Sequence, residues 1–275
     1  MLPLPSNPMN LLKWIKGKHR KWKSAQESRF LISREPISII DPDHFPDSLK
    51  NPTAYYSRAF QDFHHLLPEE LRTHRAYYSC DNRGFGEDAF HTMWWRLFHQ
   101  FKPKYFLEIG VYRGQVISLI ALLSQQEAID CNITGISPFT SDGDSVSKYR
   151  GDLDYHLDTL SHFEHFRLPK PNLVQAYSTD KKALEVIASC NWDMIYIDGN
   201  HDYEIVAKDW NACSKAVKIG GLVILDDSGL STLYRPPSFA TGGHPGPSRL
   251  AYEIDRSYYR EILQVGHNRV FQRKA

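Results

Sequence analysis

Two short apolar runs in the second half of the chain stop abruptly in acid. One is Trp192-Asp193-Met194-Ile195-Tyr196-Ile197-Asp198, the other Gly221-Leu222-Val223-Ile224-Leu225-Asp226-Asp227. A run that is apolar at successive positions fits the middle of a parallel sheet covered on both faces. In an open α/β sheet the ligand crevice lies at the carboxyl ends of the strands. Asp198, Asp226 and Asp227 are therefore expected at one rim, with His201 just beyond the first. Three carboxylates repel one another, and a hard divalent cation is the partner that balances them. That chemistry points to an enzyme.

The remainder of the chain from Lys104 alternates between strand and helix patterns. Strands are expected at Tyr105–Ile109, Asn132–Ile136, Asn172–Ala176, Asp193–Asp198 and Leu222–Asp227. Helices are expected near Gln115–Ser124, Tyr149–Phe163, Asp180–Ser189 and Tyr203–Val217. Such alternation implies a mostly parallel sheet with right-handed crossovers. The tail differs. After a helix at Ser248–Tyr259, strands at Glu261–Val265 and Arg269–Arg273 flank Gly266-His267-Asn268, which supplies turn chemistry for an antiparallel hairpin.

Ahead of this domain (104–275) lie two other segments. Residues 37–103 are rich in aromatics and histidine and end in a helix, Glu87–Phe101, apolar on the face that would meet a sheet. His64-His65 and His91 lack ligand spacing and are read as surface or satisfied core histidines. Residues 1–36 read as a basic arm, proline-rich to Pro8 and then helical from Leu11 to Lys23, with Lys13, Lys16, Lys18, Arg20, Lys21 and Lys23 beside Trp14 and Trp22. Its charge fits an anionic surface; a solvated arm or a contact within a homo-oligomer is the other reading.

Composition excludes more than it assigns. A formal net charge of +1 gives no electrostatic reason to expect nucleic acid. No apolar run approaches the length of a membrane span, and Leu11-Leu12 precede the basic cluster, the reverse of a secretory signal. Four scattered cysteines without a CxxC pair fit free thiols in a reducing compartment. A cytoplasmic protein is expected. His162-Phe163-Glu164-His165 lacks the spacing of a zinc site and reads as solvated surface.

After the first strand comes Glu108-Ile109-Gly110-Val111-Tyr112-Arg113-Gly114. Gly110 allows a sharp turn and close approach to a ligand, and Gly114 permits tight packing at the helix start. This is not the Gly-x-Gly-x-x-Gly of a dinucleotide site. An acid two residues before Gly110 would repel phosphate and suits a cationic amino-acid head.

Together these motifs resemble the class I S-adenosylmethionine-dependent methyltransferases, across about residues 104–275. Ile197 to Glu204 and Gly220 to Asp227 resemble the metal-dependent O-methyltransferases of macrolide and aminocoumarin sugars. The Glu-x-Gly-x-Tyr of Glu108, Gly110 and Tyr112 is shared more distantly with catechol O-methyltransferase. The resemblance implies a Rossmann-like, doubly wound sheet of seven strands with a C-terminal antiparallel hairpin. It further implies that Glu108 and Gly110 contact the donor's methionine part, that Tyr112 lines the transfer site, and that Asp198, Asp226 and Asp227 hold Mg²⁺ or Mn²⁺. His201, three residues past Asp198, takes the place of the catalytic base.

One departure stands out. The second strand should end in an acid that binds the donor's ribose, but here it ends Gly135-Ile136-Ser137-Pro138-Phe139. Ser137 is left to make one hydrogen bond, or Asp142 or Asp144 to swing in from the next loop. After the third strand, Ser178 or Asp180 is expected at the adenine, although Ser178 or Thr179 equally suits a helix cap. The long Gly/Pro-rich loop Ser228–Pro247 reads as a lid or substrate wall, and Cys80–Gly86 as another candidate wall. The sequence thus reads as an O-methyltransferase acting on a small hydroxylated molecule, a sugar or glycosylated metabolite. A metal-dependent hydrolase and a non-catalytic binding module on the same sheet are its rivals.

Overall fold

The computed structural model describes residues 8–34, 44–147 and 149–275. Strands β1 (Tyr105–Ile109), β2 (Asn132–Ser137), β3 (Asn172–Gln175), β4 (Trp192–Ile197), β5 (Val217–Leu225), β6 (Tyr259–Val265) and β7 (Asn268–Arg273) form one sheet. Its order is β3-β2-β1-β4-β5-β7-β6. The first five strands are parallel, and β7 runs antiparallel to both β5 and β6. The fold is the Rossmann-like seven-stranded sheet with its terminal hairpin. Order reverses between β1 and β4, which makes that gap the switch point where a ligand crevice opens.

Alternation within each strand builds two cores. Phe106, Met194, Tyr196, Leu222 and Ile224 face one side, while Leu107, Ile109, Ile195, Ile197, Val223 and Leu225 face the other. The first side is covered by α1 (Pro8–Ile32), α2 (Phe45–Lys50), α3 (Pro52–His65), α4 (Glu69–Ser79), α5 (Asp88–Phe101), α6 (Gln115–Gln126) and α7 (Tyr155–His165). The second is covered by α8 (Lys181–Ala188), α9 (Tyr203–Ala216) and α10 (Pro245–Glu253).

Several expectations shift. The segment before α5 holds three helices that hydrophobic pattern alone did not mark. The start of α3 was written in Asn51-Pro52, since Asn51 accepts from Ala54 N–H at 3.2 Å and Pro52 takes the first turn. Helix α7 begins at Tyr155, not Tyr149, because Asp154 caps it by accepting from Leu157 N–H at 2.9 Å. Helix α10 runs Pro245–Glu253 rather than Ser248–Tyr259, with proline in its first turn. The basic helix extends beyond Lys23 to Ile32, and its Glu27 accepts from the Ser238 amide and hydroxyl at 2.9 and 2.6 Å, which ties it to the loop after β5. The proline-rich stretch before Pro8 lies outside the described residues. His162 is buried, not solvated, with Nε2 3.0 Å from Asp158 and Nδ1 2.8 Å from the Tyr77 hydroxyl. The four cysteines are free. Among the described residues, no helix is long and apolar enough to cross a membrane.

Candidate active site

The rim is fixed by backbone before any side chain acts. Asp198 N–H donates to Ile109 at 2.8 Å and Asp226 N–H to Ile197 at 3.0 Å, which carries the parallel ladder one residue past each strand. Gly110 sits at φ +97°, and a Cβ there would lie 2.1 Å from the Asp198 carbonyl. Only glycine lets the β1 and β4 turns approach so closely. Asp227 adopts φ +50°, and its carbonyl accepts from His244 N–H at 2.7 Å. The loop after β5 therefore folds back and lays His244 over the rim.

Two cavities open here. The smaller, about 180 Å³, runs between the ends of β1, β2 and β4 and is walled by Ser137, Phe139, Asp142, Tyr177 and Ser178. The larger, about 470 Å³, reaches under α5 and is lined by Phe90, Trp94, Glu108, Asp226, Asp227 and His267. Gly110, Tyr112, Tyr149, Asp198 and Gly199 line both. The two candidate walls are present: Gly84, Phe85 and Gly86 from one, and Thr241 and His244 from the other, border the larger space.

Acid dominates its floor. Burial raises Asp198 well above the usual carboxylate range, and the negative Asp226, Asp227 and Glu108 add to the effect. Asp226 shares a hydrogen bond with Asp198; burial pushes it up, yet the charge and hydrogen bond of His267 hold it below the ordinary value. Burial pushes Glu108 to about 8, with Ile117 N–H donating to it at 3.2 Å. Opposite stand histidines. His201 Nε2 lies 2.7 Å from Asp227 and Nδ1 2.5 Å from Asp144; burial lowers its pKa, but the two carboxylates outweigh that and raise it to about 9. His267 is likewise carried to about 10, burial opposing and Asp226 prevailing.

The expected residues divide. Glu108, Gly110, Tyr112, Asp198, His201, Asp226 and Asp227 converge on the larger cavity, and Ser137 and Ser178 on the smaller. Gly114 borders neither cavity; at φ +81° it starts α6, and its carbonyl accepts from the hydroxyls of Ser118 and Tyr78. Asp180 turns back to accept from Tyr177 N–H at 2.9 Å. Of the two acids expected to reach the ribose, Asp142 lines the smaller cavity and accepts from the Tyr177 hydroxyl at 3.0 Å. The carboxylate of Asp144 is taken by His201.

The ligand trio also rearranges. Among the described residues, donor atoms come within 4.8 Å of one another in two sets, Asp226-Asp227-His267 and His201-Asp227-His244. Asp198 belongs to neither set, although its carboxyl shares a hydrogen bond with Asp226, and Asp227 turns towards His201. His267 was read only as turn chemistry. Its place follows from topology: β7 is antiparallel to β5, with Leu225 opposite Arg269, so the β6–β7 turn must emerge at the carboxyl rim of β5.

Residues 107–228 match a family model described as a methyltransferase domain. Over 124 residues, 44% of this chain, the sequence is 27% identical to the uncharacterized protein R132 of Acanthamoeba polyphaga mimivirus, and the match spans about half that relative's length. The fold is similar to the SAH-bound methyltransferase PaMTH1 of Podospora anserina at a TM-score of 0.54 and 12% identity, covering 88% of this chain and 99% of that one. It is also similar to an O-methyltransferase of Bacillus cereus in complex with SAH, at 0.53 and 12% identity, covering 82% and 100%. With the sheet order, these findings define the fold: it is similar to that of SAH-bound methyltransferases, and its central stretch matches the methyltransferase domain model.

Proposed function

We propose that the chain is a Mg²⁺- or Mn²⁺-dependent O-methyltransferase that moves a methyl group from S-adenosylmethionine to a hydroxyl of a small molecule, a sugar or glycosylated metabolite. One observation carries the reading: a narrow cleft at the switch point and a roomier acid-floored cavity meet at Gly110, Tyr112, Tyr149, Asp198 and Gly199. A methyl transfer needs such a junction, with one reactant on each side.

The donor set fits a divalent cation. Asp226, Asp227 and His267 each bring a donor atom within 4.8 Å of the others, and the buried Asp226 Oδ1 has only His267 Nε2, at 3.3 Å, facing it as an ion-pair partner. When bound, the cation supplies a Lewis acid that lowers the pKa of the acceptor hydroxyl. The rest falls to the chain. His201 removes the hydroxyl proton with Nε2 once Asp227 turns from that nitrogen, a movement that also takes away one of the two carboxylates holding the ring's pKa up. Asp144 keeps the ring aimed through Nδ1. The oxygen then attacks the methyl carbon, the carbon–sulfur bond breaks, and sulfur leaves with the electron pair as a neutral thioether. Tyr112 and Tyr149, with ring centroids 5.3 Å apart, screen the junction from water.

A second reading draws on Asp227, which belongs to both donor sets and so could bridge two cations in the manner of a metal-dependent hydrolase. Calorimetric titration with S-adenosylhomocysteine separates the two. Binding in the presence of chelator is expected of the methyltransferase, together with transfer activity that chelator abolishes and Mg²⁺ or Mn²⁺ restores. No binding favours the hydrolase, and full transfer activity in excess chelator removes the metal from the reading.

A further inference from the structure

The turn between β6 and β7 sets an imidazole where two carboxylates meet. His267 Nδ1 lies 3.1 Å from both the carbonyl oxygen and the hydroxyl of Thr241. A carbonyl oxygen only accepts, so Nδ1 carries a proton and Nε2 is the nitrogen presented to the acids. Nε2 stands 3.3 Å from Asp226 Oδ1 and 3.8 Å from Asp227 Oδ1. The ring is 6% exposed and meets Phe90 edge-on at 4.7 Å, so it cannot swing away. A histidine anchored through one nitrogen to a backbone carbonyl, with the other facing oxygen donors, has the arrangement of metal-bound histidines.

We propose that His267 is a nitrogen ligand beside Asp226 and Asp227, and that the site consequently takes Mn²⁺ in preference to Mg²⁺. This rests on the reading above that a divalent cation binds here. Mg²⁺ favours an all-oxygen octahedron and retains its waters, whereas imidazole suits transition metals. The rival set is weaker. Both nitrogens of His201 are already held by carboxylates, Nδ1 by Asp144 and Nε2 by Asp227.

The test uses full-length protein stripped of metal, titrated with Mn²⁺ or Mg²⁺ by calorimetry and examined as the Mn²⁺ complex by pulsed electron paramagnetic resonance. Nitrogen-14 modulation is expected in the wild type and in His244→Gln, and is expected to vanish in His267→Gln. Mn²⁺ affinity should fall about tenfold or more in His267→Gln, while Mg²⁺ affinity moves less. Far-UV circular dichroism checks that the variant folds. If it does not, His201→Ala and His244→Gln decide: modulation retained in both supports His267, and loss in either overturns the assignment. Mn²⁺ bound without nitrogen modulation overturns the inference and leaves the metal reading intact. Absence of any divalent binding sinks that reading itself.

Discussion

His201 and Asp144 are joined twice: one carboxylate oxygen accepts from the His201 backbone N–H at 2.7 Å and lies 2.5 Å from ring Nδ1. The two residues are 57 positions apart in sequence. The loop after β2 thus reaches over β4 to fix both the position and the tilt of the ring. Unprotonated at Nδ1, such a ring would have the wrong tautomer for Nε2 to act as a base; bonded to a carboxylate there, it carries its proton on Nδ1, while Nε2 faces Asp227 at 2.7 Å.

That pairing predicts distinct phenotypes for its two members. His201→Ala should lower kcat by roughly 10²–10⁴-fold with donor affinity nearly unchanged. Asp144→Ala should retain more activity, because the base is present but less well aimed. It should also move the acidic limb of the pH–rate profile downward, since one of the carboxylates that raises the His201 pKa is gone. A His201→Ala enzyme with near-normal kcat and the same limb would reduce the residue to scaffolding.

The metal-free protein should lose stability between about pH 6.5 and 10. His201 and His267 have folded-state values of about 9 and 10, above the 6.5 of an ordinary histidine. Their contribution is therefore complete below pH 6.5 and disappears as pH rises through those values. Glu108 acts in the same direction over the lower part of the window: with a folded value of about 8, it keeps its proton where the unfolded chain has lost one, so stability falls with rising pH until about pH 8. Buried His74, lowered to about 3, titrates below this window. Thermal midpoints measured with chelator present should fall across it, at roughly 2–4 °C per kcal/mol for a domain of this size. A flat or rising midpoint contradicts the assignment.

Much of this could be read from residues, and the exceptions have physical causes. The apolar runs of β4 and β5 announce a buried parallel sheet because both faces must be covered, and their terminal acids must then share a rim. What pattern reading could not supply was long-range placement. His267 reaches the rim only because β7 pairs antiparallel with β5, and Asp144 reaches His201 from a loop whose path no periodicity encodes. Helices α2 and α4 start without a side-chain cap that would have marked them. The Asn51-Pro52 start was the local signal available.

Donor binding should separate Glu108 from Ser137. Glu108 is 3% exposed and faces the larger cavity near the junction, whereas Ser137 borders the smaller one. Loss of a buried acceptor for a charged group costs on the order of 2 kcal/mol or more, so Glu108→Ala should weaken S-adenosylmethionine binding about 30-fold. Ser137→Ala removes a neutral hydroxyl and should cost far less. Equal losses in calorimetry would mean that the ribose and the methionine head have been assigned to the wrong ends of the cleft.

Gly110 offers a test of the rim's geometry with an internal control. Alanine at Gly110 must adopt φ +97°, and its Cβ would lie 2.1 Å from the Asp198 carbonyl oxygen and 2.4 Å from Gly199 Cα. Those neighbours are backbone, so relief requires the β1 and β4 turns to separate, which displaces Asp198 from Asp226. Gly220 has a comparable φ of +78°, but an added Cβ there meets nothing within 4 Å. Gly220→Ala therefore suffers the backbone strain alone, of order 1–3 kcal/mol. Gly110→Ala suffers the strain and the collision together. The expected outcome is a distinctly lower thermal midpoint for Gly110→Ala than for Gly220→Ala. Donor affinity and Mn²⁺ affinity should both be impaired in the first and both preserved in the second. Equal midpoints, or a Gly110→Ala protein that binds donor normally, would show that the two turns do not depend on this close approach.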